Sequence, residues 1–105
     1  TLPTPLPLGA ETVTLGSGHQ QASLLIEDPS VEGLHARLAP LQNSFHLVDA
    51  GSVAGTWINY TPIPADGIIL EHGDLVHFGR SGFRFTLRNG SHRRKPTAQP
   101  LEPPA

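Results

Sequence analysis

The chain contains no cysteine, so disulfides, thiolate metal sites and a cysteine nucleophile are excluded from the outset. Long apolar runs are missing as well: those within Ser23–Ile26 and Ile68–Leu70 fall far short of the ~20 residues that cross a bilayer as a helix. A soluble, cytoplasmic piece is expected, with no direct membrane insertion of its own, whatever larger or membrane-associated protein it serves. No window carries three turns of helix-period apolar residues uninterrupted by glycine or proline, which argues against a helical bundle. Positive charge is scarce where a fold could form. Residues 1–90 hold four arginines (37, 80, 84 and 88) against eight acids, so nucleic acid is not an expected ligand.

At 105 residues there is chain enough for one domain with one core. Eleven glycines and eleven prolines in so short a chain imply frequent turns and favour strands. The opening TLPTPLPLG places proline at 3, 5 and 7 and reads as a Pro-rich linker over residues 1–9. From Ser91 the chain turns basic (Arg93, Arg94, Lys95) and proline-rich, and residues 91–105 are expected to form a disordered tail. The first residue is threonine and no leader pattern follows, so the sequence reads as a segment of a longer protein. The domain is placed at 10–90.

Within 10–90 the pattern is strand after strand. In GFRFTLR, Phe83, Phe85 and Leu87 alternate with Arg84, Thr86 and Arg88, a period of two with one buried face. NSFHLVD sets Phe45 and Leu47 against His46. TVTL, SLLIE and DLVHF are shorter runs of the same kind, separated by turn signals at Asn43-Ser44, Ala50–Ser52, Asp66-Gly67, His72–Asp74 and Gly79–Gly82. Pro40 cannot donate to a ladder and suggests a sheet edge. Trp57, in TWIN, is expected in the core. The fold class is all-β, a sandwich or small barrel.

Four landmarks follow one another in this unit: LGSG (15–18), DPSVEGLHARL (28–38), GSVAGTWINY (51–60) and LEHGDLVHFG (70–79). Together they resemble the forkhead-associated (FHA) domain, whose pattern runs Gly-Arg, Ser-x-x-His, Asn-Gly-Thr-x-x-Asn-Gly and Leu-x-x-Gly-Asp. The resemblance spans roughly Glu11–Arg88. It implies a β-sandwich of about eleven short, mostly antiparallel strands and a binding module, not an enzyme. FHA domains recognise phosphothreonine through loops at one end of the sandwich. The scaffold half of the pattern is present: Gly16, the bracing His35, Gly55 and Thr56, the structural Asn59, then Leu70, Gly73 and Asp74.

The ligand half is replaced, so the resemblance is to a divergent member. Ser17 stands where the family has its phosphate-binding arginine, and Glu32 where it has the serine whose hydroxyl meets the phosphate. Gly33 replaces the assisting Arg or Asn. Val53 and Ala54 precede Gly-Thr where polar residues are expected. Tyr60 replaces the glycine of Asn-Gly, a substitution expected to alter that turn. Losing one partner of a hydrogen-bonded charge pair costs ~2–5 kcal/mol. A phosphate facing Glu32 at ~4 Å near a surface adds up to about 4 kcal/mol of repulsion per unit charge. Against a 1 µM site, about −8.2 kcal/mol, the two losses together abolish binding. The expected function is therefore a protein–protein interaction module that binds a protein or peptide independently of phosphothreonine, with self-association left open. Its candidate contact residues are Ser17, Glu32, Gly33, Val53 and Ala54. The alternative is phosphothreonine binding through relocated basic groups, Arg37 and Arg80.

Other signals have plainer readings. Six histidines do not gather into a metal-ligand spacing, and neither metal nor cofactor is expected. GSVAGT lacks the lysine and following helix of a phosphate loop, GSG is no dinucleotide fingerprint, and no Gly-x-Ser-x-Gly elbow supports a hydrolase. The sequons at Asn59 and Asn89 are of a length that arises by chance.

Overall fold

Alternation of apolar side chains decides which face of each strand turns inward. The computed structural model describes residues 6–8, 11–41, 44–86 and 97–101. Among them are eleven strands: β1 (Leu6–Pro7), β2 (Val13–Gly16), β3 (Leu24–Leu25), β4 (Ala36–Pro40), β5 (Phe45–Asp49), β6 (Thr56–Ile58), β7 (Thr61–Pro62), β8 (Ile68–Ile69), β9 (Leu75–Phe78), β10 (Ser81–Thr86) and β11 (Thr97–Pro100). They form a six-stranded sheet, β1-β11-β10-β9-β6-β7, and a five-stranded sheet, β3-β2-β4-β5-β8. Every pairing is antiparallel except β2 with β3. Among the described residues no helix is long and apolar enough to cross a membrane.

The core lies between the sheets. The smaller contributes Leu15, Leu38 and Leu47, and the larger Val76, Phe78, Phe83 and Phe85. Phe78 meets Phe83 edge to face at 5.7 Å, a favoured aromatic arrangement. Phe45 and Leu47 are buried on either side of half-buried His46, and Phe83 and Phe85 on either side of exposed Arg84. Leu87 lies outside the described residues.

Several expectations need correction. Thr56 and Ile58 take the inward face of β6, so Trp57 points outward by strand alternation and is only half-buried, its indole N–H donating to the Ala54 carbonyl at 3.1 Å. Pro40 is on an inner strand, yet β2 pairs with β4 only as far as Leu38, so on that side no ladder donor is required of it. Tyr60 leaves the turn in place: Asn59 (φ 46°) and Tyr60 (φ 68°) both adopt the left-handed conformation of a two-residue hairpin loop, and the tyrosine ring lies over His77 at 5.5 Å. Parts of the assigned linker and tail are strands. Leu6–Pro7 and Thr97–Pro100 pair at one margin of the larger sheet, with Ala98 and Leu8 buried, while residues 1–5, 9, 91–96 and 102–105 of these segments lie outside the described residues. Proline content misled there because an edge strand tolerates prolines that an inner one does not. Both margins of that sheet carry one, Pro7 in β1 and Pro62 in β7.

Candidate functional site

The strand order brings four connections to one end of the sandwich: residues 17–23 after β2, 26–35 before β4, 50–55 before β6, and the Gly79-Arg80 turn between β9 and β10. His35 ties them together. It is fully buried, and its Nδ1 accepts the Glu32 N–H at 3.2 Å, so the ring proton sits on Nε2 and is donated to the Gly55 carbonyl at 2.8 Å. The same carbonyl accepts the Gly79 N–H at 3.0 Å. Gly55 holds φ +87°, a conformation in which a Cβ would be strained. Gly16 is required for another reason: a Cβ there would lie 2.1 Å from the Gly33 carbonyl oxygen. At the opposite end Asn59 donates from Nδ2 to Asp74 at 3.0 Å and accepts the Leu75 N–H at 3.1 Å, while Asp74 also accepts the Glu71 N–H at 2.7 Å. Gly73 N–H donates to Phe85 O at 2.8 Å, and Leu70 is buried. His35 thus braces the loop end from within, while Asn59 and Asp74 brace the turns at the opposite end.

The five candidate contact residues are brought together. Ser17 N–H donates to Glu32 O at 2.8 Å and Gly18 N–H to Gly33 O at 3.1 Å, joining the first two loops. The Glu32 carboxylate accepts the Val53 N–H, joining the second to the third. Val53 is 94% exposed, and Ala54 beside it is exposed as well. Of the two arginines considered for phosphate, Arg80 lies at this end, its N–H donating to Ser30 Oγ at 2.8 Å. Arg37 pairs with Thr14 and Val48 within the smaller sheet and is exposed on its outer face.

Two carboxylates at this end escaped the sequence reading. Asp49 accepts Gly51 N–H and Ser52 N–H on one oxygen, both at 2.8 Å, and Ser52 Oγ (2.5 Å) and Thr56 Oγ1 (2.6 Å) on the other. Burial pushes this carboxyl up, but the bonds from Ser52, Thr56 and Gly51 outweigh it and hold the group below its ordinary 3.8. Asp28 is held low chiefly by the Ser30 hydroxyl (2.6 Å) and Ser30 N–H (2.8 Å), with the Arg80 charge a lesser contributor. An acid followed two or three residues later by serine, as in DPS and DAGS, is the local signal that would have found them.

One chemical property follows. The hydroxyl protons of Ser17, Ser30, Ser52 and Thr56 all go to internal acceptors: Val31 O, Asp28, Asp49 and Asp49. This end therefore presents carboxylates, an apolar tip and the exposed Arg80, and the hydroxyls that could have served an anionic ligand are already committed. Among the described residues no group of three His, Asp or Glu could hold a metal ion.

The family model described as the FHA domain matches residues 13–79. The glycogen accumulation regulator GarA of Mycobacterium tuberculosis is 31% identical over 80 residues, 76% of this chain and 47% of that protein. The oxoglutarate dehydrogenase inhibitor of Corynebacterium diphtheriae is 32% identical over 83 residues, covering 79% and 54%. The chain thus spans about half the length of the curated relatives it matches. Among solved structures, the FHA domain of CT664 from Chlamydia trachomatis superposes with a TM-score of 0.67 at 26% identity, over 73% of this chain and 77% of that one. The FhaA FHA domain complexed with the intracellular domain of Rv3910 gives 0.64 at 27% identity, over 71% and 79%.

Proposed function

The chain belongs to the FHA domain family, a family of protein-interaction modules, and on that premise we propose that it is a non-catalytic module whose partner docks on the loop end without a phosphothreonine. The observation that carries this reading is the committed state of the donors: four hydroxyls serve internal acceptors, Ser17 replaces the expected arginine, and Glu32 brings negative charge to the place of the phosphate. A phosphate arriving there meets up to about 4 kcal/mol of repulsion per unit charge at ~4 Å, with no arginine of the family pattern to repay its desolvation. A neutral or basic partner segment suits the same surface, with Val53 and Ala54 as apolar contacts and Ser17, Glu32 and Gly33 beside them. The absence of catalysis is supported by the histidine of the site, whose two nitrogens are spent on backbone groups and activate no hydroxyl. The names of the relatives, a regulator of glycogen accumulation and an inhibitor of oxoglutarate dehydrogenase, support regulatory binding to another protein, and a cytoplasmic setting suits that use.

One observation favours a second reading. Arg80 is brought to the loop end, so phosphothreonine could be held from the Gly79-Arg80 turn. Titrating the labelled domain with a phosphothreonine peptide library and its unphosphorylated twin at low salt separates the two. Equal amide shifts for both twins support phosphate-independent docking. Shifts at Ser17, Glu32 and Ala54 that need the phosphate, and that vanish in Arg80→Ala, would establish the second reading instead.

A further inference from the structure

Glu32 does more than crowd a phosphate out. Its backbone is fixed on both sides, the N–H given to His35 Nδ1 at 3.2 Å and the carbonyl taken by Ser17 N–H at 2.8 Å. From that anchored position the side chain reaches across to the facing loop and accepts the N–H of Val53, twenty-one residues further along the chain. The base of that loop has its own support: Asp49 holds Gly51 and Ser52, and Ser52 Oγ accepts the Gly55 N–H at 3.0 Å. The tip has no such support from packing, since the Val53 side chain is almost wholly in solvent. A carboxylate on a backbone N–H is among the stronger hydrogen bonds available to it.

We infer that Glu32 is a built-in anion, a positioning and specificity-determining residue that occupies the Val53 N–H a ligand's acceptor would otherwise use. The inference rests on the reading of this end as the partner-binding surface. It gives the substitution a use beyond loss of phosphate binding. The tip is ordered before a partner arrives, so less conformational freedom remains to be lost on docking. It also follows that serine at position 32 alone does not recreate a phosphate reader. That change removes a repulsive charge and frees a donor, but supplies no cation in place of Ser17 and loosens the tip.

The test is amide NMR of the domain, wild type, Glu32→Gln and Glu32→Ser, followed from neutral pH into the acid range and paired with hydrogen exchange. Glu32 is exposed, so both variants should fold, and the unchanged core signals check this. In wild type the Val53 amide is expected to move with the titration of one carboxyl. In Glu32→Gln, which keeps an acceptor but no ionisable group, that movement is lost while the loop signals stay in place. In Glu32→Ser the Val53 amide exchanges about tenfold faster, the loss expected of one charge-assisted bond. A Val53 amide that ignores pH in wild type, or that exchanges equally fast in all three proteins, overturns the assignment. If wild type answers only the phosphorylated twin while Val53 still tracks the carboxyl, the phosphothreonine-independent reading falls and the Glu32 assignment stands.

Discussion

Replacing Asp49 by asparagine keeps the shape of the side chain and removes its charge, which tests whether one carboxylate holds the 50–56 segment in place. Asp49 accepts four bonds, two on each oxygen. Asparagine can keep the pair of backbone N–H donors on its one oxygen. Its amide then faces Ser52 Oγ and Thr56 Oγ1, which must turn to accept, and Ser52 Oγ already accepts from Gly55. Bonds to a charged group are worth ~1.5–3 kcal/mol and neutral ones ~0.5–1.5. The four share one carboxylate and do not add independently, so the variant should lose about 2–3 kcal/mol. Urea unfolding reads this as a lower midpoint at unchanged slope. The pH dependence is a second, stricter check. Because the folded-state pKa lies below the ordinary 3.8, the carboxylate's contribution is complete above the unfolded value and is lost as pH falls through the folded one. The gap between wild type and variant should therefore be constant from neutrality to about pH 4 and close below it. A gap under about 0.5 kcal/mol at neutral pH, the range of ordinary surface substitutions, or one that persists unchanged in acid, would mean that the Asp49 charge does not hold this segment.

Asn59→Ala removes the bonds to Asp74 and Leu75 and puts alanine at positive φ, where left-handed backbone costs ~1–2 kcal/mol. A loss of about 3 kcal/mol in thermal or urea unfolding is expected. Gly16→Ala drives a methyl group against the backbone carbonyl of Gly33, so the first two loops must part. It should cost ~1–3 kcal/mol and shift the amides of Ser17, Gly18 and Glu32 while leaving those around Asn59 unmoved. Arg37→Ala, on the outer face of the smaller sheet, should change stability by less than about 0.5 kcal/mol and leave partner binding as it was, as measured by calorimetry.

Much of the architecture was legible because it rests on local periodicity. Phe83 and Phe85 announce β10 by alternation alone, and Phe45 and Leu47 do the same for β5. The scaffold motifs were legible because each residue type answers a fixed need: a buried histidine able both to accept and to donate, and an asparagine tolerant of left-handed backbone that also bonds across to Asp74. Part of what escaped depends on contacts between distant segments. Ser30 meets Arg80 across fifty positions and Glu32 meets Val53 across twenty-one, distances over which no spacing rule operates. Trp57 has the size of a core residue, yet strand parity turns it outward, and the prolines around β11 mask the single small residue, Ala98, that the core accepts.

The antiparallel pair at the margin of the larger sheet sets Leu6 opposite Ala98 and Pro7 opposite Thr97, so the chain enters beside the place where it leaves. A tether pulling residue 6 away from residue 101 would load this pair from one end, as a zipper is loaded, and not along its length. Its few bonds would yield one after another under modest tension, since Pro7 offers no N–H and β1 is two residues long. Leu8 would then follow out of the core. Strain carried in through flanking chain is thus expected to open the sandwich at this seam first, well before the His35 brace that ties loops of both sheets together.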